Sequence, residues 1–97
     1  MTSPSKIRKL QVIRDLHPGT SSNAQCSRIL AALVQFPINT FEASRYLDCY
    51  DPRARVRQLR KRGEPIDTHP QLISTESGDR HRVGLYVLNP SKRGTTL

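Results

Sequence analysis

Apolar residues recur at Cys26, Ile29, Leu30 and Leu33, the i, i+3, i+4, i+7 spacing of a helix with one buried face. Ahead of them, Ser22-Asn23-Ala24-Gln25 has the capping-box form, a hydroxyl followed three residues later by Gln, and Pro37 stops the pattern. A helix is predicted to start at Ser21 or Ser22, with Gln25, Ser27 and Arg28 on its solvent side. A shorter helix follows. Thr40 is its expected cap, Glu42 lies in the first turn where the positive dipole end favours an anion, and Ala43 and Leu47 face the core together. Between the two, Pro37-Ile38-Asn39 is long enough only for an edge strand pairing with a later hairpin. A third helix is framed by Asp51 as cap, Pro52 at its first position and Gly63 past its end, with a narrow apolar stripe of Val56 and Leu59.

Beyond Gly63 the period changes from helical to extended. Pro65-Ile66-Asp67-Thr68 and Leu72-Ile73-Ser74-Thr75 lead to the turn signal Glu76-Ser77-Gly78-Asp79. The run from Arg80 to Leu88 is β-rich, with Val83, Leu85 and Val87 on one face and Tyr86 and Leu88 on the other. Either face could meet the helices. Helix, edge strand, helix, helix and hairpin in that order predict an α+β winged helix-turn-helix, three helices plus a C-terminal β-hairpin wing over residues 75–82. This places the domain at residues 21–88.

Residues 1–20 precede it as a basic arm containing Lys6-Ile7-Arg8-Lys9-Leu10, and residues 89–97 follow as a loose tail with Lys92 and Arg93. The arm has three readings: a flexible terminus, a basic strand tracking phosphates or a minor groove, or an apolar edge (Ile7, Leu10, Ile13, Leu16) packing on a partner subunit.

Charge sharpens the picture. The chain has 97 residues, 35% hydrophobic and 25% charged, which fits one small domain of modest core. Its formal net charge of +8 and pI of about 10.3 point to nucleic acid or an anionic surface. No apolar run approaches a membrane span and no signal-peptide pattern opens the chain, so a cytoplasmic, nucleoid-associated protein with no membrane partner is expected. Cys26 and Cys49 with His17, His69 and His81 lack zinc-ligand spacing, so no metal or other cofactor is expected. The histidines have no partnered nucleophile, the carboxylates are scattered and no glycine-rich phosphate loop exists, so no catalytic residue is expected and the chain is read as a non-enzyme.

The positive charge concentrates in the third helix, where Arg53, Arg55, Arg57, Arg60, Lys61 and Arg62 occur with no acidic residue among them. The stretch from Ser22 to Leu88, about two thirds of the chain, also resembles the small winged helix-turn-helix domains of bacteriophage and prophage-encoded DNA-binding proteins. The matching residues are Ile29-Leu30 and Leu33, then Thr40, Ala43 and Leu47, then Arg55-Val56 and Leu59-Arg60. Gly63, Pro65-Ile66, Arg82 and Tyr86-Val87-Leu88 complete the match. Asp48 departs from it, standing where such turns often have Gly, and must tolerate a left-handed backbone.

The resemblance implies binding of double-stranded DNA. The third helix (52–62) would then be the recognition helix, with Arg53, Ala54, Arg57 and Gln58 as base contacts in the major groove. Arg45, Lys61, Arg62, Arg80 and Arg82 are expected on the DNA backbone, the last two from the wing with reach into the minor groove. Arg55 and Arg60 border the apolar stripe and are expected to pack by their stems and pair with Asp or Glu. A phage or prophage transcriptional regulator is the leading expectation, acting as a homodimer or a cooperative multimer on DNA. The alternatives are an excisionase-like architectural recombination factor and a winged-helix protein-interaction module.

Overall fold

The computed structural model describes residues 2–75 and 77–92. Four α-helices and a three-stranded antiparallel sheet alternate as α1 (Pro4–Leu16), α2 (Ser22–Gln35), β1 (Ile38–Asn39), α3 (Thr40–Tyr46), α4 (Pro52–Lys61), β2 (Ile66–Ser74) and β3 (Arg80–Leu88). A short 3₁₀ turn (Pro90–Lys92) follows. The expected α+β winged helix-turn-helix is present, with one helix more than predicted.

That extra helix is α1, where a basic arm was expected. Ser3 accepts from the Lys6 amide and Pro4 occupies the first turn, so a helix start is written into the segment. Leu10 and Ile13 are buried in the common core, so the apolar edge packs on its own chain. At its start Lys6 donates to Glu42 Oε1 at 3.0 Å and to the Pro37 carbonyl at 2.7 Å, and Thr2 donates to Glu42 Oε2 at 2.8 Å. The arm reading fails because three apolar residues three apart (Ile7, Leu10, Ile13) suffice to dock a helix when the partner surface already exists.

The α2 start falls at Ser21 and Ser22 as predicted, but the caps of α2 and α3 differ by one residue from the expected Ser22 and Thr40, for a reason. On α2, Ser21 is the cap, accepting from the Ala24 amide at 3.1 Å. Gln25 closes no capping box; its side chain is buried, donating to the Thr20 carbonyl and accepting from the Cys49 thiol. On α3, Asn39 replaces Thr40 as cap: its Oδ1 accepts from the Glu42 amide at 2.7 Å, and Glu42 Oε1 accepts from the Asn39 amide at 3.0 Å. Thr40 is thereby free to donate to the Gly84 carbonyl of the sheet.

Arg28 is the largest correction. Expected in solvent, it is 2% exposed and donates from Nε to the Leu47 carbonyl (2.7 Å) and from Nη1 to those of His17 (2.7 Å) and Gly19 (2.8 Å). Nη2 lies 3.3 Å from the Asp48 carbonyl. Leu47 and His17 are the C-caps of α3 and α1. The guanidinium therefore sits where two helices present unpaired carbonyls and negative dipole ends, which supplies acceptors for a buried cation without any carboxylate.

In the sheet β3 is central, in the order β1-β3-β2. Ile38 pairs with Tyr86, as the short edge strand was expected to do, and β2 pairs with β3 from Ile66↔Leu88 to Ser74↔Arg80. Side-chain alternation places Arg80, Arg82, Gly84, Tyr86 and Leu88 on one face. Tyr86 is buried with Ile38 and Ile66, so that face, not the Val83-Leu85-Val87 face, meets the helices.

The segment after β3 is not loose at its start. The Asn89 amide donates to the Pro65 carbonyl at 2.8 Å, and Lys92 Nζ reaches Asp67 Oδ1 at 3.0 Å. Lys92, with help from Asn89, holds the Asp67 carboxyl below its ordinary pKa. The rest of the expected tail, residues 93–97, lies outside the described residues.

Candidate nucleic-acid interface

The connection between α3 and α4 is short and pinned. The Leu47 and Cys49 amides both donate to the Ala43 carbonyl, each at 3.2 Å. Asp48 between them has φ +53°, the left-handed backbone its position requires. Cys49 is fully buried, and desolvation pushes its thiol pKa up to about 11.

Helix α4 then begins on Asp51, whose carboxylate accepts from the Ala54 amide at 3.2 Å. It ends in a Schellman pattern: the Gly63 amide donates to the Arg60 carbonyl and the Glu64 amide to that of Leu59, with Gly63 at φ +97°. Both ends stand where the sequence placed them.

The orientation of α4 sorts its basic residues. Val56 and Leu59 are buried with Pro52, which leaves Arg53, Arg57 and Lys61 as an outward stripe one turn apart. All three are exposed, and none has an ion pair or side-chain hydrogen bond among the described residues. Ala54 is half-buried beside them. Gln58 turns toward α2, where its Oε1 accepts from the Cys26 thiol at 3.5 Å. Arg62 also turns to α2, donating to Asn23 Oδ1 at 2.7 Å.

Arg60 belongs to the fold as expected, but its partners are the Ile66 carbonyl (2.8 Å) and the Thr68 hydroxyl (2.5 Å) instead of a carboxylate. Among the described residues Arg55 has no acidic partner either; its Nε is buried there without a hydrogen bond.

Between α4 and the sheet runs a cleft of about 390 Å³ lined by Arg53, Val56, Arg57, Arg60, Thr68, Gly84 and Tyr86. Gly84 forms its floor for want of room: a Cβ there would lie 3.1 Å from Thr68 Cγ2. Sequence reasoning passed over Gly84 and Thr68, although a glycine inside a strand pattern is a recognised sign of close approach.

Arg80 and Arg82, exposed and unpaired among the described residues, continue the same sheet face outward along the wing. Of these cations Arg53 and Arg57 line the cleft, Lys61 lies one turn further along α4, and Arg80 and Arg82 lie further along the sheet face that carries Gly84 and Tyr86. Arg45 does not join them. Its guanidinium lies 5.8 Å from the Phe41 ring centroid and 5.7 Å from that of Tyr46, in a separate cleft between α1, α3 and the outer half of β2.

Among the described residues, no group of three His, Cys, Asp or Glu side chains could hold a metal ion. No helix there is long and apolar enough to cross a membrane.

Fold and surface together define a small helix-turn-helix module whose second helix and wing share a cationic face. A family model described as a winged helix-turn-helix domain matches residues 24–91, and the chain belongs to that family. The matched region starts inside α2 and leaves α1 outside it. No curated protein matches the chain.

Proposed function

We propose that this chain binds double-stranded DNA in a sequence-specific manner, with α4 in the major groove and the wing on the backbone or in the minor groove. The observation that carries the reading is the unpaired stripe Arg53, Arg57, Lys61 on the second helix of the helix-turn-helix, extended by Arg80 and Arg82. Exposed cations in a folded protein ordinarily alternate with acids. A one-sign face on a recognition helix fits a polyanion.

Arg53 and Arg57, with Ala54 between them, are the base readers: Arg forks onto guanine and Ala meets a thymine methyl. Gln58 could join them only by giving up its contact with Cys26, which is weak because a thiol is a poor donor. Lys61, Arg80 and Arg82 hold phosphates. Arg62 is divided between Asn23 and the backbone, and Arg45 acts at most from the far side of α3.

The chain so read is a non-enzymatic DNA-binding regulator of phage or prophage type, working in the bacterial cytoplasm alone or as a dimer or array on DNA. Binding-site selection from random duplexes tests it. A recovered consensus supports the reading, and Arg57→Ala should then weaken that site by about 1–3 kcal/mol and relax one base pair. Equal retention of all duplexes, or of none, overturns sequence-specific binding.

A further inference from the structure

Tyr50 is 78% exposed, more than any other large hydrophobic side chain of the described residues. It makes no hydrogen bond, ring contact or ion pair there. Its backbone is nonetheless rigidly placed. On one side Cys49 is buried and its amide is bonded to the Ala43 carbonyl; on the other Asp51 caps α4 and Pro52 is buried. Arg28 fixes the same turn from beneath through the Leu47 and Asp48 carbonyls. A bulky ring thus stands in water on a turn whose backbone is bonded on both sides of it.

The position matters as much as the exposure. Tyr50 immediately precedes the cap of α4, so it stands just outside the helix end whose first residues face the base edges. With α4 in the major groove, a side chain there would meet the rim of that groove, where the sugar–phosphate strand passes. Its neighbours Asp48 and Asp51 are short acids, and the Asp51 carboxylate is occupied by the Ala54 amide. A phenol reaches past both and offers a neutral O–H donor.

From this we infer that Tyr50 is a DNA contact, its hydroxyl donating to a backbone phosphate at the edge of the site read by α4. The inference rests on the DNA-binding reading above. It also makes Tyr50 different in kind from the arginines. A neutral donor releases no counterion, so its loss lowers affinity without changing how affinity depends on salt. A phosphate carries no sequence information, so the loss is equal on every duplex.

The test compares the unmodified chain with Tyr50→Phe and Tyr50→Ala on the selected duplex and on a scrambled one, over a range of salt. Tyr50→Phe should weaken both duplexes roughly tenfold, the scale of a hydrogen bond to a charged group, with an unchanged salt slope. Tyr50→Ala should do no less. Binding by Tyr50→Phe equal to that of the unmodified chain overturns the inference while leaving the DNA-binding reading intact. A loss confined to the selected duplex overturns it too, because the contact would then be to a base. Failure of the unmodified chain to bind any duplex overturns both.

Discussion

The two sides of this domain use the same residue types to opposite ends. In the region where α1, α2 and α3 meet, charge is consumed by the fold: Arg28 caps two helices at once, Glu42 closes a capping box while holding Lys6 and Thr2, and both residues are buried. On the α4–wing face, Arg53, Arg57, Lys61, Arg80 and Arg82 are exposed and unpaired among the described residues. An arginine's contribution thus depends on which carbonyls and carboxylates the fold has left open around it. Where two helix ends supply acceptors, it is part of the scaffold; where none are supplied, it is available to a ligand.

If that division is right, substitutions on the two sides must separate stability from binding. Arg28→Ala should have the largest effect, costing about 3–5 kcal/mol of stability in a urea titration, because it strands the buried Leu47 carbonyl and three part-buried ones and empties the space of a buried side chain. A loss under about 1 kcal/mol would mean water replaces the guanidinium readily and the buried clamp contributes little.

Arg57→Ala should do the reverse. Its binding loss of about 1–3 kcal/mol should come with a stability change within about 0.5 kcal/mol, as for other surface substitutions. A large destabilisation would place Arg57 with Arg28.

Glu42→Ala is next, with an expected loss of about 0.5–2 kcal/mol from the α3 cap. It should also raise amide exchange at the start of α1, which loses the anchor for Lys6 and Thr2. Unchanged exchange in α1 would show that Leu10 and Ile13 hold the helix alone.

The smallest effects are on pH dependence. The Cys49 thiol, raised from an ordinary 9.0 to about 11 by burial, favours its neutral form in the fold, so its contribution to stability is complete below that ordinary value. That contribution should fall away as pH rises toward 11. For Asp67, lowered by Lys92, the sign is opposite: its contribution is present above the usual carboxylate range and is lost as pH falls through its lowered value. Cys49→Ser and Asp67→Asn should each flatten their own limb of a stability–pH curve, and failure to do so would remove the group from the comparison.

Much of the α4–wing side was legible in the sequence. Asp51, Pro52 and Gly63 are local signals, and the strand alternation around Tyr86 needs no tertiary information beyond which face is covered. The α1–α3 side was legible only in part. Nothing near Arg28 in sequence reveals that His17, Gly19, Leu47 and Asp48 will converge on it, since those carbonyls become acceptors only when α1 and α3 end beside α2. Asn39 displaced Thr40 as cap because Glu42 could answer an amide one residue earlier. Gln58 was placed on the outer face by the helical wheel, yet α2 lies close enough for Cys26 to engage it. Gly84 marks a close approach whose partner, Thr68, is sixteen residues away in sequence and visible only in the paired strands.

The division of charge is tested most directly by the salt dependence of duplex affinity. If the three unpaired cations assigned to phosphates, Lys61, Arg80 and Arg82, each meet one, log affinity should fall against log salt with a slope of about −2.7, a loss of about 40-fold between 50 and 200 mM. Lys61→Ala should lower the slope of log affinity against log salt by about one, and Arg28→Lys, if folded, should leave it unchanged. A flat salt dependence in the unmodified chain would contradict the assignment of the α4–wing face to nucleic acid.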